Sequence, residues 1–169
     1  MRYFFRPLSL VLMLVMLGSI DALAQRLQFT SRTSGISMVV PAGTHKVQDN
    51  LEMLYLQTAD HLFSFTAVPF DLRKTTSDER TVNLMKMARS AQMDYAGSTP
   101  LQLQTQTMDI ELHASTYLSG GGTFVGIAVV RESSLAYYLC LVAGQQYEDF
   151  GGASIQTLEF DPNAVSDIP

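Results

Sequence analysis

Residues 123–143, TFVGIAVVRESSLAYYLCLVA, decide the fold of this chain. Two runs rich in β-branched, aromatic and aliphatic residues flank a polar interruption at residues 131–134, a pattern that predicts a β-hairpin. Apolar side chains occupy both faces of each run, as Val129 with Val130 and Tyr137 with Tyr138 illustrate. Because strands that are apolar on both faces lie in the middle of a sheet, we expect this hairpin to be central.

Further strands are predicted on the N-terminal side of this hairpin, where apolar segments are bounded by turn formers. In chain order they are residues 27–31, 36–40, 51–57, 62–68, 101–108 and 110–118. The strand at residues 62–68 is expected to stop at Pro69, and residues 42–45 and 48–50 are expected to be loops. Polar residues alternate with others in the last two strands, which predicts one wet face and one covered face.

One amphipathic helix is predicted over residues 76–96. Thr76 and Glu79 have the spacing of a capping box, in which the two side chains satisfy backbone donors of the first turn. The apolar stripe comprises Leu84, Ala88, Ala91 and Tyr95, and the polar side comprises Arg80, Asn83, Arg89, Gln92 and Asp94. Gly97 is expected to cap the C-terminus, and the stripe needs a sheet to lie on.

The C-terminal part of the chain predicts a second, shorter helix. It covers residues 145–157, although Gly151 and Gly152 each cost about 1 kcal/mol relative to alanine. Residues 158–160 are expected to be extended and residues 161–169 to form a tail. The predicted fold class is therefore α+β: one antiparallel sheet of roughly six to eight strands, with the main helix and the short C-terminal helix packed on it.

The N-terminus has the pattern of a signal peptide. Arg2 and Arg6 precede the apolar residues 8–17, and Ala22-Leu23-Ala24 has the form of a cleavage site. The apolar run is roughly half of the ~20 residues that a membrane-spanning helix needs. We therefore expect residues 1–24 to be removed after Ala24, leaving a single domain at residues 25–160 in the periplasm or outside the cell. An uncleaved signal anchor is the alternative, which leaves the small residues before the cut without a role.

Composition excludes two classes of partner. The chain has 11 basic and 16 acidic residues and a net charge of −5. Since the basic residues form neither a cluster nor a basic amphipathic stretch, we expect no nucleic-acid partner and no anionic membrane surface. Cys140 is the only cysteine, so no intramolecular disulfide forms, and its apolar neighbours predict that it is buried in the core.

Sequence motifs that would mark an enzyme are missing. The chain has no G-x-S-x-G, H-E-x-x-H, C-x-x-C or P-loop pattern, and Leu139 and Leu141 predict a buried, unreactive thiol at Cys140. We therefore expect no catalytic residues and no cofactor. The weak candidates for a metal site are His61 with Asp60 and His113 with Glu111, residue types that suit zinc. Their separation in sequence favours ordinary surface residues instead, so no metal is expected.

The predicted order of elements, together with ISMVVPAG at residues 36–43, resembles the PsbP/Mog1-like α/β/α sandwich group. In that group, a hydrophobic strand that ends in proline opens the domain. The resemblance covers residues 27–160 and implies a non-enzymatic binding or assembly function, without a site motif that transfers to named residues. The paired glycines Gly151 and Gly152 depart from the uninterrupted final helix that is usual in the group.

Taken together, these features predict an exported, non-catalytic module that engages another protein through an exposed sheet face or loop. The alternative is a periplasmic protein that binds a small ligand or a metal ion.

Overall fold

The computed structural model describes residues 26–97, 99–116 and 121–163. The predicted leader and the last residues of the predicted tail lie outside these residues. The strands are β1 (Arg26–Thr30), β2 (Ile36–Pro41), β3 (Thr44–Asp49), β4 (Leu54–Thr58), β5 (Phe63–Asp71), β6 (Leu101–Gln104), β7 (Met108–Thr116), β8 (Gly122–Val130), β9 (Leu135–Ala143) and β10 (Glu159–Phe160). The helices are α1 (Ser77–Ser90) and α2 (Glu148–Gln156), and Tyr95–Gly97 and Gln145–Tyr147 form single 3₁₀ turns.

Seven strands form the main sheet, in the order β3-β4-β5-β9-β8-β7-β6 with antiparallel neighbours. The hairpin of β8 and β9 lies in its middle, which confirms the prediction from residues 123–143. A second, three-stranded sheet has the order β1-β2-β10. One sheet was expected from the sequence, and the separation of β1, β2 and β10 from the main sheet was not predicted.

The main sheet is covered on both faces, so the described residues form three layers. On one face, Phe65 and Leu141 of the main sheet join Ile36 of β2 and Ile155 of α2 in one buried cluster. On the other face, Ala88 of α1 packs over β8 and β9 together with residues of a smaller cluster. The α+β class, the main helix and the C-terminal helix on the sheet are therefore confirmed.

A predicted loop and a predicted strand end are wrong in the N-terminal half of the main sheet. Residues 44–49 form β3, because pairing with β4 overrides the turn formers, and a bulge between Lys46 and Gln48 adapts the polar sequence to the sheet edge. Pro69 does not end its strand, because β5 continues to Asp71. Beyond Ala67, β5 pairs with β9 but no longer with β4. Pro69 therefore has a paired strand on one side only, and its missing amide hydrogen does not break a hydrogen bond to β4.

Helix α1 begins where the capping box predicted, with Thr76 and Glu79 bonded reciprocally. It ends at Ser90 instead of reaching Gly97. Gln92 adopts a φ of +57°, and the amide of Met93 donates to the carbonyl of Ala88 over 2.8 Å, which is a Schellman motif without glycine. Met93, the residue after this turn, is buried against the sheet. The helix therefore ends at a glutamine with positive φ and not at Gly97 as expected.

Helix α2 spans the paired glycines. A Cβ atom on Gly151 would lie 3.0 Å from the ring of Phe124 and 3.6 Å from the Cβ of Ala143. The same glycine that weakens the helix therefore lets it approach β8 and β9 closely. Gly152 has no atom within 4 Å of such a Cβ and faces away from this contact.

The predicted strand at residues 101–108 is shorter than expected, because β6 ends at Gln104 and a turn joins it to β7. The carboxylate of Glu159 in β10 holds this turn. It accepts hydrogen bonds from the amide of Gln106 and from the amide and hydroxyl of Thr107. Burial acts to raise the pKa of Glu159, but the hydrogen bonds from Thr107, Gln106 and Thr105 outweigh it and keep this pKa below the ordinary value of 4.5.

Glu159→Gln is expected to lower the free energy of unfolding by about 1–2 kcal/mol at pH 7, because an amide cannot accept all of these bonds. A carboxyl group whose pKa is lower in the folded state stabilises the protein fully when the pH is above its unfolded-state pKa. This contribution is lost as the pH falls through the folded-state pKa. Urea unfolding at pH 7 and pH 3 measures the free energy of unfolding of both proteins. The difference between wild type and variant should therefore be smaller at pH 3 than at pH 7. Glu52→Gln, at an exposed turn residue, is the control and should change stability by less than about 0.5 kcal/mol. An equal difference in the free energy of unfolding at both pH values would contradict the role given to the Glu159 carboxylate.

Candidate binding cleft

Helix α1 lies over β8 and β9 and leaves the same face of β7 exposed at Asp109 and Glu111. Its contact with the central strands includes the buried residues Leu84 and Ala88. The side chain of Asn83 donates to the hydroxyl of Tyr138 over 3.2 Å, so Asn83 faces the sheet and not the polar side on which it was predicted. A cleft opens on the opposite flank of the helix, between α1 and β7.

The cleft has a volume of about 420 Å³. Its helix wall carries Arg80, Thr81 and Leu84, which share one side of α1 because Arg80 and Thr81 precede Leu84 by four and three residues. Its sheet wall carries Asp109 and Glu111, which alternate on the uncovered face of β7. Gln102 of β6 and Tyr95 complete the outer rim.

Apolar side chains form the floor of the cleft. Val129 and Ile127 of β8 are the cross-strand partners of Asp109 and Glu111, so they point to the same face of the sheet. Both are half-buried, because α1 does not fully cover them. The register of β7 on β8 therefore places a carboxylate beside each of two apolar residues.

The two walls carry opposite charge. On the helix wall, Nη1 of Arg80 donates to the carbonyl of Thr75 over 2.7 Å, which holds the guanidinium group near the start of α1. On the sheet wall, Arg131 donates to Oδ1 of Asp109 from Nε and Nη2, and Gln102 donates to Oε2 of Glu111 over 2.8 Å. The side chains of Asp109 and Glu111 are each 51% exposed, so a ligand in the cleft can reach both carboxylates.

Tyr95 closes one end of the cleft. Its ring centroid lies 4.4 Å from that of His113, at an interplanar angle of 45°. Burial, and then the charge of Glu111, raise the pKa of Tyr95 above its ordinary value, so the phenol stays protonated at neutral pH. The tyrosine therefore offers the cleft an aromatic ring and a neutral hydroxyl.

The candidate metal ligands form two separate pairs. Nε2 of His113 lies 3.8 Å from Oε1 of Glu111, beside the cleft. Asp60 and His61 lie in the turn between β4 and β5, and β9 and β8 separate β5 from β7, a distance of about 14 Å at the usual spacing of strands. Within residues 26–97, 99–116 and 121–163, no group of three or more His, Cys, Asp or Glu side chains could hold a metal ion.

Asp60 has a structural role instead. Its carboxylate accepts hydrogen bonds from the hydroxyl of Thr58, the amide of Leu62 and the side chains of Gln146 and Tyr147. These bonds, led by those from Thr58 and Leu62, lower the pKa of Asp60. The residue therefore ties the β4–β5 turn to the segment that precedes α2.

Cys140 is half-buried, whereas the sequence predicted a core residue. Alternation in β9 places it on the face under α1, where it packs on the cluster of Ala88, Met93 and Val125. Burial raises its pKa to about 11, so the sulfur is a thiol at neutral pH and a poor nucleophile.

Four residues of the cleft were not predicted as site residues from the sequence: Arg80, Thr81, Tyr95 and Asp109. The alternation of acidic and apolar residues in β7 did predict a polar sheet face, and that was the available signal. Which helix residues face it depends on where α1 crosses the sheet. That position follows from the contacts of Leu84 and Ala88, which no local pattern reveals.

No family model and no curated protein matches the chain. Among solved structures, it is similar to cyanobacterial PsbP (CyanoP) from Synechocystis sp. PCC 6803, with 7% identity, 82% of this chain and 94% of that chain covered, and a TM-score of 0.48. It is also similar to a protein from Bacteroides thetaiotaomicron VPI-5482 known from a crystal structure, with 16% identity, 81% of this chain covered and a TM-score of 0.45. The chain spans about half of that protein, 49% of its length.

In the part of the chain that the structure describes, no helix is long and apolar enough to cross a membrane. The similarity to the two solved structures concerns the fold alone. The α+β class expected from the sequence is confirmed by the antiparallel sheets and the two helices of the described residues.

Proposed function

We propose that this protein is an exported, non-catalytic binding module that engages another protein through the cleft between α1 and β7. The observation that supports this proposal most strongly is the cleft itself, a concave surface with an apolar floor and charged, accessible walls. Apolar floors with a few fixed polar groups are typical of binding sites. The N-terminal pattern of a signal peptide at residues 1–24 supports a location in the periplasm or outside the cell.

The groups around the cleft are better suited to recognition than to catalysis. The hydroxyl of Thr81 donates to the carbonyl of Ser77 over 3.1 Å, as helix threonines commonly do, and is not directed at a base. The thiol of Cys140 is protonated at neutral pH. The ring of His113 is buried against Tyr95, which restricts its access to a substrate. Nucleophilic catalysis needs an activated nucleophile beside its base, and these contacts support a binding role instead.

A small-ligand role is the second candidate. The volume of the cleft, about 420 Å³, falls within the range of roughly 300–1,000 Å³ that is usual for small-molecule sites. Mass spectrometry of an extract of the denatured, freshly purified protein distinguishes the two roles. A stoichiometric small molecule would favour this second candidate.

The proposed function is tested by filling the cleft. Thr81→Trp places a bulky ring on the helix wall, whereas Val82→Trp places the same ring on the outward face of α1, where Val82 is 47% exposed. We expect the wild-type protein and Val82→Trp to retain a partner from an envelope extract, and Thr81→Trp to lose at least about nine-tenths of it. Retention of no protein by the wild type, or turnover of a substrate by it, would contradict the proposal.

A further inference from the structure

The cleft combines an apolar floor with an acidic sheet wall. Val129 and Ile127 lie directly beside the carboxylates of Asp109 and Glu111, because they are paired across β7 and β8. Leu84 faces the same floor from α1. A side chain that fits this surface needs a long apolar stem and a positive end.

We propose that the partner inserts a lysine or arginine side chain, flanked by apolar residues, into the cleft; this inference rests on the proposed function. Its aliphatic stem lies on Ile127, Val129 and Leu84, and its cationic head reaches the carboxylate of Glu111. Lysine and arginine bury their stems in this way while they keep the charged head near water. Both Glu111 and Asp109 are half-exposed, so a cation can approach without full desolvation.

Glu111 contributes more to this site than Asp109 does. Two nitrogens of Arg131 already donate to Asp109, over 3.1 and 3.0 Å, so its charge is largely neutralised. Glu111 accepts from the neutral amide of Gln102 and lies 3.8 Å from Nε2 of His113, so its partners are an amide and an imidazole where Asp109 has a guanidinium group. The ring of Tyr95 lines the same end of the cleft and can stabilise a cation over its face.

Arg80 orients the inserted side chain. It lies on the helix wall, opposite the carboxylates, and its contact with the carbonyl of Thr75 keeps it there. A cationic head is therefore repelled by the helix wall and attracted to the sheet wall. Removal of this charge should strengthen binding of a basic peptide, whereas removal of the Glu111 charge should weaken it.

The test uses the isotope-labelled protein and the capped peptides acetyl-Gly-Leu-Lys-Leu-Gly-amide and acetyl-Gly-Leu-Gln-Leu-Gly-amide. We expect the lysine peptide to shift the amide resonances of Thr81, Gln102, Glu111 and Ile127, and the glutamine peptide to shift none of them at the same concentration. Glu111→Gln should weaken binding roughly threefold to fivefold, the size of a half-exposed ion pair. Arg80→Gln should strengthen it by roughly twofold.

Glu52→Gln is the matched control, because it removes the same charge from an exposed turn that is not part of the cleft. Equal weakening by Glu52→Gln and Glu111→Gln would overturn the proposal, since it would show general attraction to an acidic protein. Shifts confined to residues outside the cleft, or none at all, would overturn it as well. Binding of free cadaverine as tight as that of the lysine peptide would identify a small amine, and not a protein segment, as the ligand and contradict the proposal.

The outcome is separable from that of the proposed function. If a partner is retained and is lost in Thr81→Trp, but Glu111→Gln retains it fully, the binding module stands and the basic side chain is excluded. If no partner is retained by the wild type, the proposed function fails whatever the peptides do.

Discussion

Gly126→Ala is expected to lower the free energy of unfolding by about 3 kcal/mol or more, the upper range for overpacking a core. Gly126 lies in β8, between Leu112 of β7 and Leu139 of β9. A Cβ atom there would overlap the carbonyl oxygen of Glu111 and lie 2.8 Å from Cδ2 of Leu112 and 2.9 Å from its Cα. Two of these three atoms belong to the backbone of a paired strand, which cannot move without breaking its hydrogen bonds.

Gly152→Ala is the matched control. It adds the same methyl group where nothing lies within 4 Å, on α2. Since alanine is favoured over glycine in a helix, this variant should gain about 0.5–1 kcal/mol. Urea unfolding of both variants, followed by circular dichroism, measures the difference. A loss of less than about 1 kcal/mol for Gly126→Ala would show that β7 and β8 do not approach as closely as described.

Phe65→Ala is expected to cost about 3–5 kcal/mol, the usual range for removing a large buried side chain. Phe65 is fully buried in β5, and its neighbours across the strands are Leu56 and Leu141. It belongs to the cluster that joins the main sheet to β2 and α2, so its removal leaves a cavity between two layers. The rigid strands on both sides restrict collapse of that cavity.

Leu101→Ala removes an aliphatic side chain from an edge strand, where Leu101 is 48% exposed. It should change stability by less than about 0.5 kcal/mol. The same urea titration compares the two variants. Similar losses for Phe65→Ala and Leu101→Ala would contradict the placement of Phe65 in the core between the layers.

Local sequence patterns predicted the elements whose determinants are local. The β8–β9 hairpin follows from apolar residues on both faces, and the start of α1 follows from the spacing of Thr76 and Glu79. The end of α1 was not predictable in the same way, because Gln92 takes a conformation that usually marks glycine, and the burial of Met93 accompanies it. Strand β3 likewise depends on its partner β4 and not on its own polar sequence.

The cleft between α1 and β7 was predictable only in part. Alternation over residues 110–118 placed Glu111 on a polar strand face, which the structure shows as part of the sheet wall, whereas Asp109 lay between the two predicted strands. Arg80 was assigned to the polar side of the helix, but it lines the cleft, because α1 crosses β8 and β9 and extends beside β7. The separation of β1, β2 and β10 into their own sheet also depends on tertiary packing. Strand β10 has only two residues, too few for a sequence pattern to show that it pairs with β2.

The most direct test of the central claim, that a partner protein docks between α1 and β7, is site-specific photo-crosslinking in cells that produce the protein. A photoreactive amino acid at Gln102, on the rim of the cleft, is compared with one at Val47, which is 51% exposed on the opposite edge of the sheet. We predict that position 102 captures one partner protein and that position 47 captures none. Capture at position 47 alone, or at neither position, would contradict the account.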